Sequence, residues 1–128
     1  MRVRCVALLP TPEQGERLRP MFHPGKQEFG LELGREYLVL GLAVWDGEPW
    51  VQIPSKSGYV LHVPLCLFEV VDGRIPALWV LRVSEDGSFT LWPPSFYREY
   101  YFDDLIEGVP SVSADFRQIL LALAKAPE

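Results

Sequence analysis

The sequence predicts an α+β fold in which a strongly bent antiparallel sheet, or a small barrel, carries helices from the C-terminal end of the chain. Three features point there. Short β-type runs recur with turn signals about every ten residues. Asp46-Gly47 and Asp86-Gly87 each lie between two such runs. Helix-type apolar spacing gathers after Pro93-Pro94. With 128 residues, 48% hydrophobic, 23% charged and without a low-complexity tract, the chain fits one domain, residues 1–128, with its own core.

In chain order, Arg2 to Leu9 reads as a first strand with Val3, Cys5, Ala7 and Leu9 on one face. Residues 11–30 contain Pro12, Gly15, Pro20, Pro24, Gly25 and Gly30, which predicts a long loop with room for one short helical turn. Loops of that length in compact domains often serve function.

Residues 31–92 are β-rich. Tyr37 to Val44 is apolar on both faces apart from Gly41, so it is expected to be a central strand covered on both sides. Asp46-Gly47 closes a hairpin onto the next run. Tyr59 to Val63 and Leu65 to Val71 are further extended segments parted by Pro64, and Asp72 to Pro76 turns the chain. LWVLRV and SFTLW form a second hairpin across Glu85-Asp86-Gly87, with Phe89 and Leu91 facing one way and Ser88, Thr90 and Trp92 the other.

Residues 95–125 are predicted helical. Ser95 can cap a helix reaching Glu107, with Gly108 just past its end. A second helix runs from Ser113 to Lys125, and its Phe116, Ile119, Leu120 and Leu123 recur at spacings that face the sheet.

The formal charge of −5 argues against a nucleic-acid backbone as partner, since that recognition needs a basic footprint. Charge is also uneven: residues 1–35 carry six basic and four acidic side chains, residues 84–128 three basic and eight acidic. The C-terminal third therefore favours a cationic partner. No run approaches the ~20 apolar residues of a bilayer span, and the N-terminus has too short an apolar centre for a secretory signal. A cytoplasmic location is the expectation, and Cys5 and Cys66 are expected as free thiols in apolar runs.

Catalytic signatures are scarce. The sequence has no GxGxxG, GxxxxGK[ST] or GxSxG motif. A zinc site would need Cys5, Cys66, His23 and His62 to converge without any CxxC or HxxxH spacing. His62 and Cys66 would stand ~13 Å apart on an extended strand, too far to form a base and nucleophile. Neither enzyme activity, metal nor cofactor is therefore predicted.

What stands out is WPPSFYREYYFDDL, which sets Trp92, Phe96, Tyr97, Tyr100, Tyr101 and Phe102 before an acidic doublet. On a wheel of ~100° per residue, Tyr101, Phe102, Leu105 and Ile106 fall on one side. Glu99, Asp103, Asp104 and Glu107 fall on the other together with Phe96 and Tyr100, and Tyr97 lies at the border. Glu99, Asp103 and Glu107 stack like charges at intervals of four, which costs an isolated helix a few tenths of a kcal/mol per pair. Either Arg98 or Arg117 compensates within the fold, or the stripe awaits a cationic partner. Tyrosine beside carboxylate suits protein recognition, because it gives contact area at little entropic cost.

The run LELGREYLVLGLAVWDGEPWVQIP followed by GYVLHVPLCLFEVVDG is similar in rhythm to SH3-like barrels, over about residues 31–92. A short acidic β domain with an aromatic and acidic C-terminal helix also resembles bacterial immunity proteins, which neutralise a toxin and commonly bind its basic domain through an acidic, aromatic-rich face. That resemblance implies a non-catalytic inhibitor that binds a basic protein. The residues expected to make the contact, read from the aromatic and acidic helix face itself, are Tyr97, Glu99, Tyr100, Asp103, Asp104 and Glu107. The competing expectation is a small-molecule or peptide site at a barrel mouth near Trp45, Trp50, Trp79 and Trp92, or an accessory subunit of a larger complex.

Overall fold

Asp46 and Gly47 both take left-handed backbone, with φ of 53° and 77°. That is the combination a two-residue hairpin turn requires. In the computed structural model, which describes residues 1–19 and 29–125, the turn joins β3 (Gly41–Trp45) to β4 (Glu48–Pro54). Around this hairpin lie β5 (Val60–Pro64), β7 (Val80–Val83) and β8 (Phe89–Trp92), in the antiparallel order β5-β4-β3-β8-β7. A second sheet has the order β2-β1-β6, from β1 (Arg2–Cys5), β2 (Glu36–Leu38) and β6 (Phe68–Asp72). Among the described residues neither sheet closes on itself, so the open form of the expected α+β fold is the one present.

The apolar run from Tyr37 to Val44 is one strand by pattern and two in space. Val39 donates its amide to Met1 O, in the smaller sheet, and the next residue, Leu40, donates to Gln52 O in the larger one. Both side chains are fully buried at this crossing. The pattern is apolar on both faces because the chain passes between two sheets here. β3 beyond the crossing is central in its sheet as expected, but only one of its faces is fully covered: Gly41 and Ala43 are buried, while Leu42 and Val44 on the other face are half-buried.

The first strand ends at Cys5 rather than Leu9. The amides of Val6 and Ala7 both donate to Leu67 O, which bends the chain off the ladder and leaves Leu8 and Leu9 exposed. Beyond them the chain forms a helix, α1 (Pro12–Leu18), where a loop with one turn was expected. Thr11 accepts from the Gln14 amide while the Gln14 side chain accepts from the Thr11 amide, and Pro12 opens the first turn. This reciprocal cap and a proline at the first position are start signals strong enough to outweigh Gly15. Residues 20–28 of the expected loop, including His23, lie outside the described residues.

α3 (Pro110–Lys125) begins three residues before Ser113 and buries Phe116, Ile119 and Leu123, with Leu120 partly covered. These join Val3, Val39, Leu40, Val51, Ile53, Val63 and Leu67 in the main core. Leu18, Ala43 and Trp50 make a smaller cluster against α1. Cys5 and Cys66 are free thiols, and burial raises the pKa of each.

Candidate functional site

The predicted helix from Ser95 to Glu107 is broken. Pro94–Tyr97 forms one 3₁₀ turn, Tyr100 takes left-handed backbone at φ 62°, and α2 spans only Tyr101–Ile106. Packing explains the break. Phe96 and Tyr101 are each 2% exposed, with ring centroids 5.5 Å apart. Five positions apart on a continuous helix, they would point ~140° away from one another. Reversing the chain at Tyr100 brings both rings into the core.

The broken geometry redistributes the side chains. Phe96, expected beside the carboxylates, is buried, and Ile106, expected on the buried side, is 62% exposed. Tyr101 and Leu105 are buried as predicted. Phe102 lies edge-on to His62 at 5.1 Å and to Trp92 at 5.4 Å. Tyr97 is half-buried: its hydroxyl donates to Val80 O at 2.7 Å and meets the Thr90 hydroxyl at 2.6 Å, while Arg82 lies 4.2 Å over its ring. Its role is to hold the segment against β7 and β8.

Tyr100 is different. It is 66% exposed, and no residue among those described hydrogen-bonds its hydroxyl. A left-handed conformation costs a non-glycine residue roughly 1–2 kcal/mol. Burial of Phe96 and Tyr101 accounts for the backbone state at this position, but not for a tyrosine there in place of glycine, which would adopt it without strain. Next to Tyr100 lie Glu99, Asp103 and Glu107, all exposed, with Asp104 half-buried. Asp104 donates its amide to Tyr100 O, and Glu107 donates to Asp103 O, so positions 100, 103, 104 and 107 keep the helical register. Glu99 precedes the break and stands outside that register.

Electrostatics divides the four carboxylates. Because α2 starts at Tyr101, Asp103 and Asp104 occupy its first turn, where the helix dipole favours anions. Glu107 sits at its C-cap, the unfavourable end. Among the described residues none of Glu99, Asp103, Asp104 or Glu107 is in an ion pair. Arg98, one of the two arginines expected as candidates to neutralise them, instead bonds Ser95 at 3.0 Å and faces Asp115 at 3.7 Å. Asp115 also accepts the Tyr101 hydroxyl at 2.8 Å, and burial followed by this carboxylate raises the phenol's pKa strongly.

A Schellman closure fixes the far end. Gly108, at φ 76°, donates to Leu105 O and Val109 to Asp104 O, after which Pro110 opens α3. α2 is thus pinned at both ends while Tyr100, Ile106 and the carboxylates project outward.

Beneath α2, one cross-strand row runs from Trp92 over Gly41 to Gln52 and His62. Trp92 Nε1 donates to Gln52 Oε1 at 2.8 Å. Indole nitrogen only donates, so the Gln52 amide must turn its nitrogen to His62 Nδ1, 3.2 Å away. Nδ1 is therefore an acceptor and the ring neutral. Burial lowers the His62 pKa to about 4, and an imidazolium would in addition set two donors face to face.

Of the four tryptophans considered for a barrel mouth, Trp45 contacts Trp50 and Trp92 at ring distances of 6.1 and 6.3 Å, whereas Trp79 is buried in the main core. A cleft of about 220 Å3 between Tyr37 and Lys56 is lined by none of them. Among the described residues no three His, Cys, Asp or Glu side chains converge as metal ligands, and no helix is long and apolar enough to cross a membrane. No family model, curated protein or solved structure matches this chain.

Proposed function

We propose that this chain is a non-catalytic binding domain that docks a basic protein partner on the ridge formed by Glu99, Tyr100, Asp103, Asp104 and Glu107, with Tyr97 as its support. The observation that carries the reading is Tyr100: the packing of Phe96 and Tyr101 requires the left-handed turn at this position, yet a large ring, 66% exposed, stands there where an unstrained glycine would serve the fold. Exposed Ile106 extends the apolar contact area, and carboxylates that make no ion pair among the described residues are available to lysine or arginine. A toxin domain neutralised by occlusion, as in the immunity proteins that the sequence resembles, is a partner of this chemistry.

The test is affinity capture from an extract of the source organism, comparing the native chain with a Tyr100→Ala/Asp103→Lys variant. Losing a central tyrosine commonly costs about 2 kcal/mol or more, roughly 30-fold in Kd. The expected result is a basic protein retained by the native chain and lost by the variant, with native circular dichroism and Tm lowered by no more than the few degrees that reversing a favourable first-turn charge costs. Equal retention by both would remove the ridge from consideration.

A further inference from the structure

A second surface lies on the opposite face of the larger sheet, at its β7 edge. Cross-strand pairing sets Leu81, Leu91, Leu42, Val51 and Val63 in one row across all five strands. Burial falls along that row: Val51 and Val63 are 0% exposed, Leu42 and Leu91 are half-buried, and Leu81 is 55% exposed. The adjacent row, Val44-Phe89-Val83, ends the same way, with Val83 66% exposed. The core layer covers the β4–β5 side of this face and leaves the β3-β8-β7 corner bare.

The backbone of Leu81 and Val83 is also unpaired among the described residues. β7 is the last strand of the sheet. Ser84 donates to Ser88 O, and alternation along an antiparallel ladder then directs the polar groups of Arg82 and Val80 toward β8. Those of Leu81 and Val83 point outward. Charged side chains usually guard such an edge. Here the sole charged residue of β7, Arg82, lies on the other face against Tyr97.

Charge adds a direction. The turns after β3 and before β8 meet at one end of the corner and place Asp46, Glu85 and Asp86 there, all exposed and, among the described residues, in no ion pair. Asp86 Oδ1 accepts the Ser88 amide, which fixes its turn.

We propose that β7 receives an extended segment of a partner protein by strand addition. Alternate apolar side chains of that segment cover Leu81, Val83 and Phe89, and a lysine or arginine at its end meets Asp46, Glu85 and Asp86. Outward amides and carbonyls at Leu81 and Val83 supply the pairing, the bare corner supplies apolar contact, and the acidic turns set polarity. This surface is separate from the Tyr100 ridge and does not depend on it.

The probe is a synthetic eight-residue peptide alternating valine and threonine and ending in two lysines. A control peptide carries glutamates in place of the lysines. Amide hydrogen exchange and chemical shifts on the full chain report binding. The expected result is slowed exchange at Leu81 and Val83, saturable with peptide, at least tenfold weaker for the glutamate peptide and for an Asp86→Lys/Glu85→Lys variant. Val83→Lys, at an exposed edge position, should abolish the effect while circular dichroism stays native. Unchanged exchange at millimolar peptide, or equal binding of both peptides, overturns the proposal. So does concentration-dependent protection of β7 without peptide, which would assign the edge to a second copy of this chain.

Discussion

Replacing Gly41 with alanine probes the row beneath α2 most directly. The new Cβ would stand 2.5 Å from Trp92 Cδ1, 3.1 Å from Gln52 Oε1 and 3.2 Å from Leu91 O. Gly41 φ lies outside the left-handed range, so the backbone itself accepts alanine. The contact alone decides the outcome. Trp92 has little room to retreat, since Tyr97, Phe102 and Phe96 pack around it at ring distances of 5.2, 5.4 and 6.2 Å. Overpacking of this kind costs about 1–3 kcal/mol. Should the indole move instead, its bond to the fully buried Gln52 breaks and strands a carbonyl, at about 1–3 kcal/mol. Either way a loss of about 1–3 kcal/mol is expected, on the order of 10 °C in Tm for a chain of this size. Urea unfolding followed by circular dichroism measures it. In a Trp92→Leu background the same Gly41→Ala change should cost at least ~1 kcal/mol less, because the clashing ring is gone. A loss below about 1 kcal/mol, or one unaffected by the background, would refute the packing argument.

Tyr100→Gly removes left-handed strain of roughly 1–2 kcal/mol and adds unfolded-state entropy of roughly 0.5–1 kcal/mol, so thermal stability should hold or rise slightly; a Tm drop of several degrees would show that the ring supports the fold. Thr11→Ala deletes the reciprocal cap of α1 and should cost about 1 kcal/mol by chemical denaturation, whereas no change would mean the helix is held by Leu18 alone. His62 is neutral in the fold, with its pKa lowered to about 4. As pH falls from ~6.5 the unfolded chain takes up a proton there that the native chain refuses. Its contribution is thus complete above pH ~6.5 and declines down to about 4, by up to about 3 kcal/mol; His62→Gln should flatten stability between pH 6.5 and 5, and an unchanged slope would place the titration elsewhere.

How much could be read in advance depends on the range of the interactions involved. Asp46-Gly47 and Glu85-Asp86-Gly87 specify turns from adjacent residues, and both hairpins formed where the pattern put them. The Phe116, Ile119 and Leu123 stripe likewise needs only helical spacing. α1 was legible too, since Thr11-Pro12 with Gln14 is a local start signal, but the weight of glycine and proline concealed it. The remaining differences come from partners distant in sequence. Leu67 bends the chain after Cys5, Met1 and Gln52 divide the run at Val39-Leu40, and the meeting of Phe96 with Tyr101 breaks the helix at Tyr100. No wheel drawn on residues 96–107 contains that information. The break also changes which features of the ridge require explanation. Asp103 and Asp104 gain a structural reason in the first turn of α2, and the left-handed backbone at position 100 gains one in the burial of Phe96 and Tyr101, whereas Glu107 at the negative end, Glu99 ahead of the helix and the exposed tyrosine ring at position 100 do not. Residues that stability does not select, gathered on one projecting element, are where selection for binding a partner has most to explain.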